Sequence, residues 1–166
     1  MYRTRSEEET IALGERLAGE LPAGSVVLLI GELGAGKTTL AKGIAKGLGA
    51  AEPEDVSSPT FTLIHEYGDP VRLYHVDLYR LDDARQVARL GLEEIFDGEA
   101  RVLVEWGERF PELMPEERIE IYIRRLENEE REIRLASRTR AAGHSTGTPK
   151  CPDSPARRAA APARCP

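Results

Sequence analysis

Cysteine is nearly absent from this chain of 166 residues. There are two, Cys151 and Cys165, both close to the C-terminus. Two cysteines in such positions form neither a disulfide framework nor a metal-ligand cluster. Long apolar runs are missing too, and none approaches the roughly 20 residues that a bilayer-spanning helix needs. The first residues, Met1-Tyr2-Arg3-Thr4-Arg5-Ser6-Glu7, lack the apolar stretch of a secretory signal, so a cytoplasmic location without a membrane is expected. No segment repeats. Basic residues are scarce in the body of the chain: residues 1–136 carry 17 Lys and Arg against 28 Asp and Glu, a net of −11. Strong direct binding of nucleic acid is not expected of so acidic a body, because neutralising phosphates takes a basic surface.

Hydrophobic residues make up 40% of the chain and charged residues 31%, which is enough apolar material for one core. Residues 137–166 differ from the rest. They hold six basic residues and one acid, are rich in Ala, Pro, Arg, Ser and Thr, and show no apolar periodicity. Such a segment has little to bury and is expected to be a basic, disordered tail. A basic arm that touches RNA is the other reading of it. The folded domain is therefore placed at residues 1–136.

One motif carries the most information. Gly31-Glu32-Leu33-Gly34-Ala35-Gly36-Lys37-Thr38 fits G-x-x-x-x-G-K-[ST] without a mismatch. Its glycines let the backbone curl so that N–H groups point at phosphate oxygens. Lys37 reaches the β- and γ-phosphates, and the Thr38 hydroxyl is a Mg²⁺ ligand. The context is right for a P-loop. Val26-Val27-Leu28-Leu29-Ile30 reads as a buried parallel strand before it. Leu40, Ile44 and Leu48 recur at helical spacing after it, and Gly49 follows as the stop.

The rest alternates between elements. Ser6-Glu7-Glu8-Glu9 has the form of a capping box, opening a helix with Ile11, Leu13, Leu17 and Leu21. Residues 50–60 read as a polar loop. Phe61 to Tyr67 and Arg72 to Tyr79 read as strands joined at Gly68-Asp69-Pro70. Asp82 to Phe96 has helical spacing. Arg101 to Trp106 reads as a buried strand. Ile119 to Ile123 and Glu132 to Leu135 alternate, predicting an antiparallel pair around Asn128. The fold class is α/β: a P-loop NTPase-like sheet with a parallel core extended by antiparallel strands, and helices on both faces.

Phosphoryl chemistry also needs acids near the metal and a group that responds to the γ-phosphate. Asp77, in His75-Val76-Asp77-Leu78-Tyr79-Arg80-Leu81, and Glu105, ending Val102-Leu103-Val104-Glu105, stand at carboxyl ends of strands. In an open α/β sheet that edge faces the ligand crevice. Ser57-Ser58-Pro59-Thr60 follows the P-loop helix, where nucleotide switches place a hydroxyl that senses the γ-phosphate; a proline turn is the other reading.

In this order, the glycine loop, Ser58-Pro59-Thr60-Phe61-Thr62-Leu63, the Asp77-Leu78-Tyr79-Arg80-Leu81 segment and Val104-Glu105-Trp106 resemble the TsaE (YjeE) family over about residues 3–136. That family supplies small bacterial ATPases of tRNA threonylcarbamoyladenosine biosynthesis. The resemblance implies ATP binding with Mg²⁺, slow hydrolysis, and docking on a TsaB–TsaD heterodimer that modifies tRNA, so that tRNA is reached indirectly. It implies phosphate binding by Leu33, Gly34, Ala35, Gly36, Lys37, Thr38 and Thr39, and metal ligation by Thr38 and Glu105. It implies a Walker B-like role for Asp77 and a switch position for Thr60. Glu7 would lie near the nucleotide, and Arg131 against the adenine. Trp106 matches the family's tryptophan, as a core aromatic or as a ligand contact. Two rival readings stay open. A small-molecule kinase would use Arg80, Arg85 and Arg89 as a lid. A GTPase-like switch is disfavoured because no Asn-Lys-x-Asp run reads guanine.

Overall fold

The computed structural model describes residues 1–139. The strands are β1 (Tyr2–Thr4), β2 (Val26–Ile30), β3 (Ile64–Tyr67), β4 (Leu73–Asp77), β5 (Arg101–Glu105), β6 (Arg118–Arg125) and β7 (Arg131–Arg138). The helices are α1 (Glu7–Ala18), α2 (Lys37–Gly47), α3 (Ala84–Ala88) and α4 (Leu92–Phe96), with four short 3₁₀ turns between elements. All seven strands form one sheet in the order β1-β7-β6-β2-β5-β4-β3. The pairs β6-β2, β2-β5 and β5-β4 are parallel, while β1-β7, β7-β6 and β4-β3 are antiparallel. The parallel core extended by antiparallel strands is therefore the observed architecture.

The apolar run of β2 is continuous because both of its faces are covered. Val27 and Leu29 turn to one side, where Leu13 and Leu17 of α1 and Leu40 and Ile44 of α2 close the core. Val26 and Leu28 turn to the other, against Val87 of α3, Leu92 of α4 and Phe110. Ser6 caps α1 by accepting the Glu9 N–H at 3.1 Å. The Glu9 carboxylate reaches back to the Arg5 N–H at 2.8 Å, one residue before the cap. Among the described residues, no helix is long and apolar enough to cross a membrane.

Helices α1 and α2 touch through glycines. A Cβ at Gly43 would lie 2.0 Å from the Ile11 carbonyl oxygen, and one at Gly14 would lie 2.5 Å from that of Leu40. Both clashes are with backbone, which cannot rotate away. Gly43→Ala should therefore cost about 1–3 kcal/mol through overpacking, despite the better helix propensity of alanine. Thermal unfolding checks this, and an unchanged midpoint would contradict the packing.

Several sequence expectations need correction. The strand expected from Phe61 starts only at Ile64. Leu63 is left-handed (φ 68°) and its N–H bonds the Pro59 carbonyl at 2.6 Å, so 59–63 is a turn. The helix expected over Asp82 to Phe96 is two short helices, because the chain turns left-handed at Gly91 (φ 68°). Strand β1 was not expected, since three residues carry no readable period; it forms by pairing with β7. The boundary at 136 falls too early. Ser137 pairs with Ile119 and Arg138 with Arg118, and the Arg138 Nε donates to the buried Glu120 carboxylate at 2.9 Å. The remainder of the expected tail, from residue 140, lies outside the described residues, as do both cysteines.

Candidate functional site

The loop from Gly31 to Gly36 joins β2 to α2 and is shaped to receive an anion. Gly36 is the N-cap of α2 with φ 107°, and no side chain caps the helix. Its first N–H groups are thus left for a ligand, at the end of the helix that carries partial positive charge. Only glycine fits at 36: besides the positive φ, a Cβ would lie 2.6 Å from the Arg131 Nε.

Lys37 is 4% exposed. Its ammonium donates to the Gly31 carbonyl at 2.7 Å and the Glu32 carbonyl at 2.9 Å. It also lies 4.3 Å from the centroid of the Trp106 ring. Burial pushes its pKa below the usual lysine value, while the carboxylates of Glu105, Glu108 and Asp77 pull it back up.

The two acids meet because β4 and β5 run parallel in a register that sets Asp77 opposite Glu105. Both side chains are buried at the carboxyl edge of the sheet. One oxygen of Glu105 accepts the Thr38 hydroxyl at 3.1 Å and the His75 Nε2 at 2.9 Å. One oxygen of Asp77 accepts the hydroxyls of Ser58 at 2.6 Å and Thr60 at 3.0 Å. Its other oxygen accepts the Tyr79 N–H at 2.9 Å. The loop after α2 is thereby tied to the acid of β4. Two non-glycine residues beside the site are left-handed, Leu63 (φ 68°) and Trp106 (φ 64°). Local strain of this kind gathers at ligand-binding and switch segments.

These residues surround a cleft of about 320 Å³. Leu33, Gly34, Gly36, Lys37, Thr38, Thr39, Thr60, Asp77, Glu105 and Arg131, all singled out from the sequence, line it. Ala35 is buried and does not line it; it faces a second hollow of about 690 Å³ beside Tyr122 and Arg134. Glu7 is not brought to the cleft either, since its carboxylate stands 3.5 Å from Lys42 of α2. Arg131, on β7, lies against Gly36 and donates to the Glu129 carbonyl at 3.1 Å. Its Nε is buried without a partner.

Sequence reasoning named no role for Ser58, His75, Tyr79 or Glu108. Period two along β4 could have found His75, which shares the face of Asp77. Glu108 sits one turn past Trp106 in a 3₁₀ segment, and burial raises its pKa. Tyr79 stacks on Trp106 at 5.0 Å, a contact between separate loops that spacing does not reveal. The donors Thr38, Glu105 and Asp77 are all oxygens within one cleft. That set fits Mg²⁺, a hard cation that takes oxygen ligands.

The family model for "Threonylcarbamoyl adenosine biosynthesis protein TsaE" matches residues 4–133. A tRNA threonylcarbamoyladenosine biosynthesis protein TsaE of Bacillus subtilis (strain 168) is 47% identical over 133 residues, covering 80% of this chain and 82% of that protein. Its namesake in Treponema pallidum (strain Nichols) is 41% identical over 133 residues, covering 80% and 97%. The crystal structure of Bacillus subtilis YdiB superposes with a TM-score of 0.65 at 41% identity, covering 82% of this chain and 83% of that one. With the P-loop, the paired acids and the sheet order already in agreement, this chain belongs to the TsaE family.

Proposed function

We propose that this chain is a weak Mg²⁺-dependent ATPase that acts on the TsaB–TsaD heterodimer during threonylcarbamoylation of tRNA. The observation that supports this most is the convergence of P-loop, Thr38, Glu105, Asp77 and Thr60 on one cleft. Uncapped N–H groups of α2 and the Lys37 ammonium would hold the phosphate oxygens and offset their charge. Thr38 and Glu105 would hold Mg²⁺, which supplies neutralisation of charge on the β- and γ-phosphates. Asp77 keeps the hydroxyls of Ser58 and Thr60 at the cleft wall, so the loop after α2 is placed to respond to what occupies it.

A partner fits this picture. Among the described residues, the exposed large hydrophobics are Met1, Leu33, Phe61 and Tyr79. Leu33 and Tyr79 line the cleft, and Phe61 adjoins Thr60, which also lines it. Apolar side chains grouped around a ligand cleft mark a surface for another protein. The acidic body favours contact with protein over direct contact with tRNA.

The test is ATP turnover by the wild type and Thr60→Ala, each alone and each with the TsaB–TsaD pair. The expected result is slow basal hydrolysis, stimulation of the wild type by the pair, and a loss of stimulation in Thr60→Ala of roughly tenfold, about 1.4 kcal/mol. Basal turnover should change less. Fast hydrolysis by the isolated wild type without any response to the pair would defeat the reading.

A further inference from the structure

We infer that His75 is a positioning residue for metal ligation: its ring holds the Glu105 carboxylate in the orientation that, together with Thr38, receives Mg²⁺. The inference rests on the proposed Mg²⁺ site and extends it to a residue that no part of that reading uses.

The geometry is specific. His75 is fully buried, and the Glu105 side chain is 5% exposed. The Nε2 of His75 lies 2.9 Å from the same Glu105 oxygen that accepts the Thr38 hydroxyl. The other ring nitrogen, Nδ1, is buried and has no hydrogen-bond partner. That pattern assigns the tautomer. An N–H at Nδ1 would be an orphaned buried donor, whereas a bare lone pair there costs less. The proton therefore sits on Nε2 and is donated to Glu105, so the ring is neutral and acts as a donor of fixed direction.

The strand explains why a histidine can do this. His75 and Asp77 are two residues apart on β4 and share one face of the sheet. Glu105 is opposite Asp77 on β5, so the imidazole, one step down β4, lies beneath its carboxylate. Packing locks the ring, and the ring then limits how the carboxylate turns. Without the donor, a buried carboxylate bound by a single hydroxyl is free to rotate, and its oxygens no longer point in one direction. Groups that orient a metal ligand in this way typically contribute 10–100-fold to metal affinity.

Calorimetry of ATP binding, run with Mg²⁺ and again in EDTA, tests this on the full chain. His75→Leu keeps the bulk and removes the donor. His75→Gln keeps an N–H at about the reach of Nε2, and His75→Asn keeps an amide that falls short of it. The expected result is a rise of roughly 10–100-fold in the Mg²⁺ concentration for half-maximal enhancement of binding in His75→Leu. Affinity for ATP in EDTA should stay near the wild-type value, and His75→Gln should restore most of the Mg²⁺ response. Should the leucine variant fail to fold, the Gln and Asn pair carries the same comparison, with Asn impaired and Gln not. A merely structural role would lower ATP affinity in EDTA and the thermal midpoint together, without the Gln rescue. Wild-type Mg²⁺ dependence in a folded His75→Leu or His75→Asn would overturn the inference while leaving the Mg²⁺ site intact. Absence of any Mg²⁺ effect in the wild type would overturn the site and the inference together.

Discussion

Lys37→Ala should weaken ATP binding by at least roughly 100-fold, read by calorimetry. The ammonium is the only lysine among the residues lining the cleft. Hydrogen bonds to a charged group contribute about 1.5–3 kcal/mol each, and two to a polyphosphate reach that ratio. The variant should fold at least as well as the wild type. Burial depresses the Lys37 pKa, so the folded state holds the protonated form at a cost that alanine does not carry. Loss of binding with an unchanged or raised thermal midpoint is therefore the expected pair of results. Unchanged affinity would remove the P-loop from the nucleotide site.

Glu105→Gln should lower turnover by roughly 100-fold or more while leaving the thermal midpoint within a few degrees. The substitution keeps the shape and one carbonyl oxygen, so the contacts from Thr38 and His75 persist. What it removes is the negative charge that a divalent cation needs. Metal stabilisation of developing charge in phosphoryl transfer amounts to several kcal/mol, which sets the size of the loss. Turnover and unfolding should be measured on one preparation. A stable variant with wild-type turnover would exclude Glu105 from metal ligation.

The contrast between these two residues shows how the site was legible. Lys37 is readable from eight consecutive residues, because the geometry that exposes N–H groups to phosphate is local to the loop and its helix. Glu105 was found as an acid at the end of an apolar run, which places it at the carboxyl edge of a strand but not beside any partner. Its neighbours Thr38 and His75 are 67 and 30 residues away in sequence. Thr60 was located by its position after α2, while its bond to Asp77 depends on a turn whose residues looked extended. Phe61, Thr62 and Leu63 have strand-like composition, yet the Leu63 N–H bonds back to Pro59 and the strand is delayed by three residues. Glu7 shows the opposite error: the start of α1 was expected near the nucleotide, and its carboxylate faces Lys42 on the neighbouring helix.

By itself the sequence determined the phosphate loop, the alternation of strands and helices, the parallel core of the sheet and the two acids at strand ends. Each of these follows from local geometry: the period of buried residues, the permissive φ of glycine, and the short reach of turns. The tertiary structure alone decided the strand order, the pairing of β1 on β7, and the close approach of α1 to α2 through Gly14 and Gly43. It also decided that Thr38, His75 and Glu105 share one carboxylate oxygen, and that Ser58 and Thr60 share one of Asp77. These contacts join segments tens of residues apart, and nothing in a local pattern encodes which distant segment will be adjacent. That is decided by burying both faces of one sheet, which brings the carboxyl ends of β4 and β5 beside the first turn of α2.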